Sequence, residues 1–298
     1  MILRLLAHGR SPEFYLVTGF ALSLIFYGLS CWFLCRLLLK DYDRETVTRC
    51  LILFCFYPFA FSLAVFGPDS LLLASVCAAF WYGRERRWGL AAVAAGIACI
   101  TRVQGVLVVP CLIYMYLRAK ELKWRNLDGW FAVLLISPIG LVAFSWQLWR
   151  LTGNPLAFIG IQRAWNNSPS YPFAFLVRFL REPVLIGSSG WDPELLSVVI
   201  TCALTAVFVC GWRRRLMPVE YLLFFALQLV VLTCRTSTMG NLRYVTDCFP
   251  FFAGLGMLTR RPVVYSIVLA VFAGFLGLFA ALFAAGQQHH PGYHFASF

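Results

Sequence analysis

The stretch Val65-Phe66-Gly67-Pro68-Asp69-Ser70-Leu71-Leu72-Leu73 sets one carboxylate between two apolar runs, Cys50 to Gly67 and Ser70 to Gly83. Each run is apolar enough to sit in lipid. Pro68 suits the first turn of a helix, and Asp69 and Ser70 can accept hydrogen bonds from the free N–H groups at its positive end. The stretch therefore reads as a polar turn from which a new helix starts.

The same alternation continues along the chain. Apolar windows run from Phe14 to Leu39, Cys50 to Gly67, Ser70 to Gly83, Trp88 to Thr101, Gly105 to Leu117, Trp130 to Trp149, Leu195 to Gly211, Val219 to Cys234, Tyr244 to Leu258 and Val263 to Gly286. With 61% hydrophobic and 13% charged residues and a mean hydropathy of +0.77, the 298 residues do not describe a soluble domain. The expectation is all-α: a polytopic transmembrane bundle of about ten helices, residues 1–298 forming a single integral-membrane domain. The third, fourth and fifth windows fall short of the roughly 20 residues that cross a bilayer core, so they are expected to be re-entrant, broken or extended by their flanks.

A net charge of +12 suggests nucleic acid in a soluble protein, but here most Lys and Arg sit in short loops between apolar runs, where topology accounts for them. Nucleic acid is excluded as a partner on that ground. If all ten windows cross, one side receives Lys40, Arg44, Arg49, Arg84, Arg86, Arg87, Arg118, Lys120, Lys123, Arg125, Arg213, Arg214, Arg215, Arg260 and Arg261. By the positive-inside rule that side is cytoplasmic, and the chain is a multi-pass protein of the cytoplasmic membrane. Asp69, Arg102, the segment 150–194 and the segment 235–243 then share the outer face, with Met1. Within the outer loop 151–194, the semi-apolar part Tyr171 to Ile186 carries Arg178, Arg181 and Glu182 and suits an interfacial helix, a lid or shelf.

Eleven cysteines scatter through the apolar windows without a CxxC pair, as small lipid-compatible residues do. The tail from Gln287, with His289, His290 and His294, reads as a frayed terminus rather than a metal site.

An ionisable side chain near the bilayer centre costs on the order of 3 kcal/mol, so charges at span ends call for an account. Four groups face the outer side: Asp69; Arg102 and Gln104 in "TRVQG"; Gln162, Arg163 and Trp165 in "IQRAWNNS"; Arg243 and Tyr244 in "GNLRYVTD". Helix capping accounts for Asp69, and so does a role in orienting a hydroxyl, accepting its proton or binding a divalent cation. No acidic residue lies within a dozen positions of Arg102, so it either snorkels to the interface or binds an anion such as a lipid phosphate through paired hydrogen bonds. Arg243 has the same two readings, with Asp247 one turn later as a structural partner. Trp165 is an interfacial belt residue or a flat platform for a sugar ring.

At these residues the chain resembles a known family. Tyr57-Pro58, the outward Asp69-Ser70, the basic turn Arg84 to Arg87 and Thr101-Arg102-Val103-Gln104-Gly105 follow the order found in the second GPI mannosyltransferase family (PIG-V) and its bacterial relatives. The likeness extends through "LTGNPLAFIGIQRAW" and "LRYVTDCFPFFAGLG", covering most of Leu51 to Leu258. It implies a GT-C integral-membrane glycosyltransferase that takes sugar, commonly mannose, from a polyprenyl-phosphate donor at the extracytoplasmic face. Family members carry Trp-Asp-x-x-x-Tyr in the first outer loop, whereas the only Trp-Asp here is Trp191-Asp192, in a later loop. Either the first helix and catalytic loop are missing from this chain, or another carboxylate has taken over, or activity is lost.

The resulting expectation assigns Asp69 as catalytic or metal-contacting, and Arg102, Gln104, Gln162, Arg163, Trp165, Arg243 and Tyr244 as substrate-binding. The acceptor is not specified, and a divalent cation is the one cofactor considered. A non-catalytic subunit binding a lipid-linked sugar and a lipid or solute transporter are the rival readings; paired mid-span charges and matched broken helices, the marks of a transporter, are mostly absent.

Overall fold

The computed structural model describes residues 12–65, 67–160, 168–183, 194–238 and 240–289. The helices are α1 (Pro12–Leu38), α2 (Arg44–Cys55), α3 (Phe61–Ala64), α4 (Asp69–Arg84), α5 (Trp88–Thr101), α6 (Val108–Ala119), α7 (Gly129–Ile136), α8 (Ile139–Thr152), α9 (Ala157–Gly160), α10 (Ala174–Arg181), α11 (Glu194–Arg213), α12 (Val219–Thr233), α13 (Asn241–Thr246), α14 (Phe249–Leu258) and α15 (Pro262–His289). The fold is all-α, as the apolar windows require.

Four stretches are long and apolar enough to cross a membrane: Glu13–Leu38, Gly129–Thr152, Glu194–Arg213 and Pro262–Ala285. The other windows form shorter or interrupted helices, each for a local reason. The window from Cys50 to Gly67 is two pieces, α2 and α3, because Pro58 lacks an N–H and disfavours helical backbone at Tyr57. Pro138 separates α7 from α8, and the pair Asp247-Cys248 separates α13 from α14, which opens with Pro250 in its first turn. A 3-10 turn, Val103–Leu107, precedes α6.

α4 is the centre of the bundle, with 12 of its 16 residues buried. It packs on α1, α5 and α6, and its small residues Ala78 and Ala79 lie in the same core as Ala91, Ala94, Ala95 and Ala98 of α5, the composition that lets helix backbones approach closely. Phe80 meets the rings of Tyr221, Phe224 and Phe249 at centroid distances of 5.9, 5.4 and 5.1 Å. By contrast α1, α7, α8 and α15 turn apolar side chains outward, among them Val17, Leu24, Ile25, Ile139, Val142 and Ile267. Such a rim is stable when hydrocarbon rather than water is the solvent.

Charge gathers at the two ends of α4, about 22 Å apart at 1.5 Å per residue. At the Arg84 end, Arg84 Nη1 donates to Glu220 (2.6 Å) and Nη2 to Asp41 (2.5 Å). Arg118 reaches Glu220 (3.3 Å), Tyr221 Oη donates to Asp41 (2.9 Å), Tyr42 Oη donates to the Leu216 carbonyl (3.2 Å), and Lys40 pairs with Glu85. Loops far apart in sequence thus meet at one basic end. Asp69 marks the other end.

Candidate functional site

Asp69 opens α4 and is fully buried. The expected capping role does not hold: among the described residues no side chain caps the helix start, because both carboxylate oxygens turn toward arginines instead. Arg102 Nη1 donates to Oδ1, and Arg243 Nε donates to Oδ2 at 2.6 Å. Asp69 keeps the benefit of the positive helix end while serving as counter-ion to two guanidiniums.

Neither arginine snorkels; their side chains are 17% and 16% exposed. Arg102 sits at an extended residue (φ −153°, ψ 153°) where α5 stops and the 3-10 turn begins. That turn doubles back so tightly that a Cβ on Gly105 would lie 2.1 Å from the Ala98 carbonyl oxygen. Glycine at the end of Thr101-Arg102-Val103-Gln104-Gly105 is therefore a condition for Arg102 to face Asp69. On the other side Gly240, with φ +77°, starts α13, and Tyr57 Oη donates to the Leu242 carbonyl at 3.0 Å. Tyr57 thus pins the short helix that carries Arg243. From α1, Ser30 Oγ donates to the Ser70 carbonyl (3.0 Å) and steadies the start of α4.

Around this pair lies a second set of polar groups. The Tyr244 ring has Arg102 at 4.9 Å and Arg235 at 5.1 Å from its centroid, a double cation–π contact. Arg235 Nη1 donates to Asn241 Oδ1 (3.2 Å), and Asn241 Nδ2 reaches Thr201 Oγ1 and the Leu232 carbonyl, both at 3.4 Å. Asp247 does not pair with Arg243, which bonds Asp69 instead; Asp247 is 2% exposed, and its carboxylate has no hydrogen-bond partner among the described residues. The three arginines and two aspartates sum to a formal charge of +1.

Of the residues expected at the site, Asp69, Arg102, Arg243 and Tyr244 come together. Gln104 is half-buried and makes no hydrogen bond to them. Gln162, Arg163 and Trp165 lie outside the described residues. Arg235 and Asn241 were not singled out in the sequence, although both lie in the polar run from Cys234 to Arg243 between two apolar windows. Among the described residues no three His, Cys, Asp or Glu side chains gather to hold a metal ion.

Two further elements frame the cluster. The segment 168–173 runs against the Arg235 segment: Ser170 N and Phe173 N donate to the Cys234 and Thr233 carbonyls (3.0 and 2.9 Å), and Thr236 N donates to the Ser168 carbonyl (3.0 Å). From there it enters α10, the expected amphipathic helix, with Phe175 buried and Leu180 exposed. Below the cluster an apolar slot of about 580 Å³ runs between α11, α14 and α15, lined by Ile200, Phe251, Leu255, Phe272 and Phe279 among others. Ile200 precedes Thr201, and Phe251 lies four residues beyond Asp247, so slot and cluster draw on neighbouring residues of the chain. No protein-family model, curated protein or solved structure matches the chain.

Proposed function

We propose that the chain is a glycosyltransferase of the membrane's outer face, built for a polyprenyl-phosphate sugar donor. The observation that carries this reading is the convergence of Arg102 and Arg243 on buried Asp69 beside an apolar slot. Two guanidiniums suit a phosphate, and the slot suits a hydrocarbon chain attached to it. The motif order shared with the PIG-V-like family supports the same class, with mannose as the sugar and the ten-segment GT-C arrangement as the scaffold.

The chemistry follows from charge. An acceptor hydroxyl attacks the sugar C1, the bond from C1 to the phosphate oxygen breaks, and polyprenyl phosphate leaves with the electron pair. A phosphodiester monoanion becomes a monoester dianion, so Arg102 and Arg243 hold the departing group more strongly than the donor. The hydroxyl proton needs a base. The donor phosphate competes with Asp69 for the two guanidiniums that Asp69 holds, and their transfer to phosphate frees Asp69 to take that proton.

The sequestration of Asp69 also fits a subunit that binds a lipid-linked sugar without transferring it. One experiment separates the two: purified protein in nanodiscs with radiolabelled polyprenyl-phosphate-mannose and a membrane extract as acceptor. Transfer that Asp69→Asn abolishes while binding of polyprenyl phosphate tightens supports the enzyme; binding with no transfer by the unaltered chain supports the subunit. If Arg102→Ala and Arg243→Ala both leave binding of polyprenyl phosphate unchanged, the reading fails in either form.

A further inference from the structure

At the end of α4 away from Asp69 lies a second cavity, of about 540 Å³, within the roughly 300–1,000 Å³ range of small-molecule sites. Arg84, Arg86, Arg118, Asp41 and Glu220 supply its charges, and Trp88, Met115 and Met217 line it as apolar surface. Its acids are already satisfied. Glu220, 3% exposed, accepts from Arg84 and Arg118, and Asp41 accepts from Arg84 and Tyr221.

The cations are not. Arg118 keeps one contact of 3.3 Å to Glu220 with its side chain 62% exposed, and Arg86 makes no ion pair or hydrogen bond through its side chain among the described residues. Arg86 stands in the left-handed region, φ +58°, at the position where the 6→1 bond from Arg87 N to the Tyr82 carbonyl (2.9 Å) closes α4. Glycine is the residue that such a helix end favours. Helix termination therefore does not account for an arginine there, and the crowding of Arg84, Arg86 and Arg118 leaves the five charged lining residues at a formal +1.

We propose that this cavity binds the phosphodiester headgroup of an anionic phospholipid from the leaflet facing the basic end. Arg86 and Arg118 hold the phosphate, while Arg84 stays engaged by Asp41 and Glu220 as the fixed wall. Basic pockets between membrane helices on the cytoplasmic side are where such headgroups dock, and arginines with Trp88, Met115 and Met217 in one lining suit a phosphate joined to glycerol. The site is independent of the Asp69 cluster, about 22 Å away along α4.

The test is native mass spectrometry of the full chain in detergent, titrated with phosphatidylglycerol or phosphatidylcholine. Arg86→Ala/Arg118→Ala is expected to weaken phosphatidylglycerol binding at least tenfold, whereas Arg125→Ala/Arg261→Ala, which removes the same charge elsewhere, changes it less than twofold. Displacement of the lipid by millimolar glycerol 3-phosphate assigns the site to the phosphate ester alone; resistance assigns part of the binding to the acyl chains. Equal binding of phosphatidylcholine, or unchanged phosphatidylglycerol binding by the Arg86/Arg118 variant, overturns the proposal. Both side chains are surface-exposed and neither seals the core, so the variant is expected to melt with the unaltered chain, which a thermal scan checks.

Discussion

Asp69→Ala is the perturbation that reads the Asp69 cluster most directly. Asp69 has no solvent contact and bonds two guanidiniums that are themselves about five-sixths buried. Removing one partner from a buried ion pair costs on the order of 3–5 kcal/mol, chiefly because the remaining charge is left uncompensated. Two arginines lose their shared anion here, and their residual exposure lets them recover part of that loss by turning toward the interface. The expected cost is therefore about 4 kcal/mol, a fall in melting temperature on the order of 10 °C in thermal scans of detergent-purified protein. Arg102→Ala costs less, since Arg243 stays on Asp69. In the double variant Asp69→Ala/Arg102→Ala the losses must not add: with one unpaired guanidinium fewer, the coupling is expected near 2 kcal/mol. Additive losses, or an Asp69→Ala variant melting within 2 °C of the unaltered chain, would refute the view that the three side chains form one buried electrostatic unit.

Gly105→Ala places a Cβ 2.1 Å from one backbone oxygen and 2.2 Å from its carbon, where no side chain can yield; a loss on the order of 3 kcal/mol is expected, against little change for Gly274→Ala, whose Cβ meets nothing within 4 Å, and equal melting of the two variants would contradict this. Tyr57→Phe removes the donor to the Leu242 carbonyl and is expected to cost about 1–3 kcal/mol, with a parallel loss of polyprenyl phosphate binding because α13 carries Arg243. Asp128 lies on the loop before α7, where the hydrogen bonds from Lys120 and Tyr116 hold its carboxyl below the ordinary 3.8. A lowered folded-state value means stability present above pH 3.8 and lost as pH falls through the folded value. The melting difference between the unaltered chain and Asp128→Asn is therefore expected at pH 6, to shrink below pH 3.8, and to shrink also at 0.5 M salt because the pair is exposed.

The helical segments were legible because hydrophobic runs of that length have few other solutions. Their interruptions were legible only where proline sits: Pro58, Pro138 and Pro250 each mark a boundary that the apolar windows ran through. Burial order was not legible. Ser70 to Gly83 and Trp88 to Thr101, two of the three shortest windows, looked weak as spans, yet they form the centre, because helices with small Ala faces pack closely on protein while the long Leu- and Val-rich helices at the rim turn their apolar side chains outward.

At the site, the sequence brought Asp69, Arg102, Arg243 and Tyr244 to one face by counting crossings, but it paired Arg243 with Asp247, its neighbour at i+4. The bundle chooses otherwise because Asp69 is at a helix N-terminus, where a carboxylate is stabilised before any arginine arrives, while Asp247 sits in the break between α13 and α14. Two arginines compensating one such carboxylate leave Asp247 buried without a donor among the described residues, a cost that the rest of the bundle offsets. The arrangement joins Asp69 to four charged side chains that lie 33 to 178 positions from it, which is why spacing within single motifs could not disclose it.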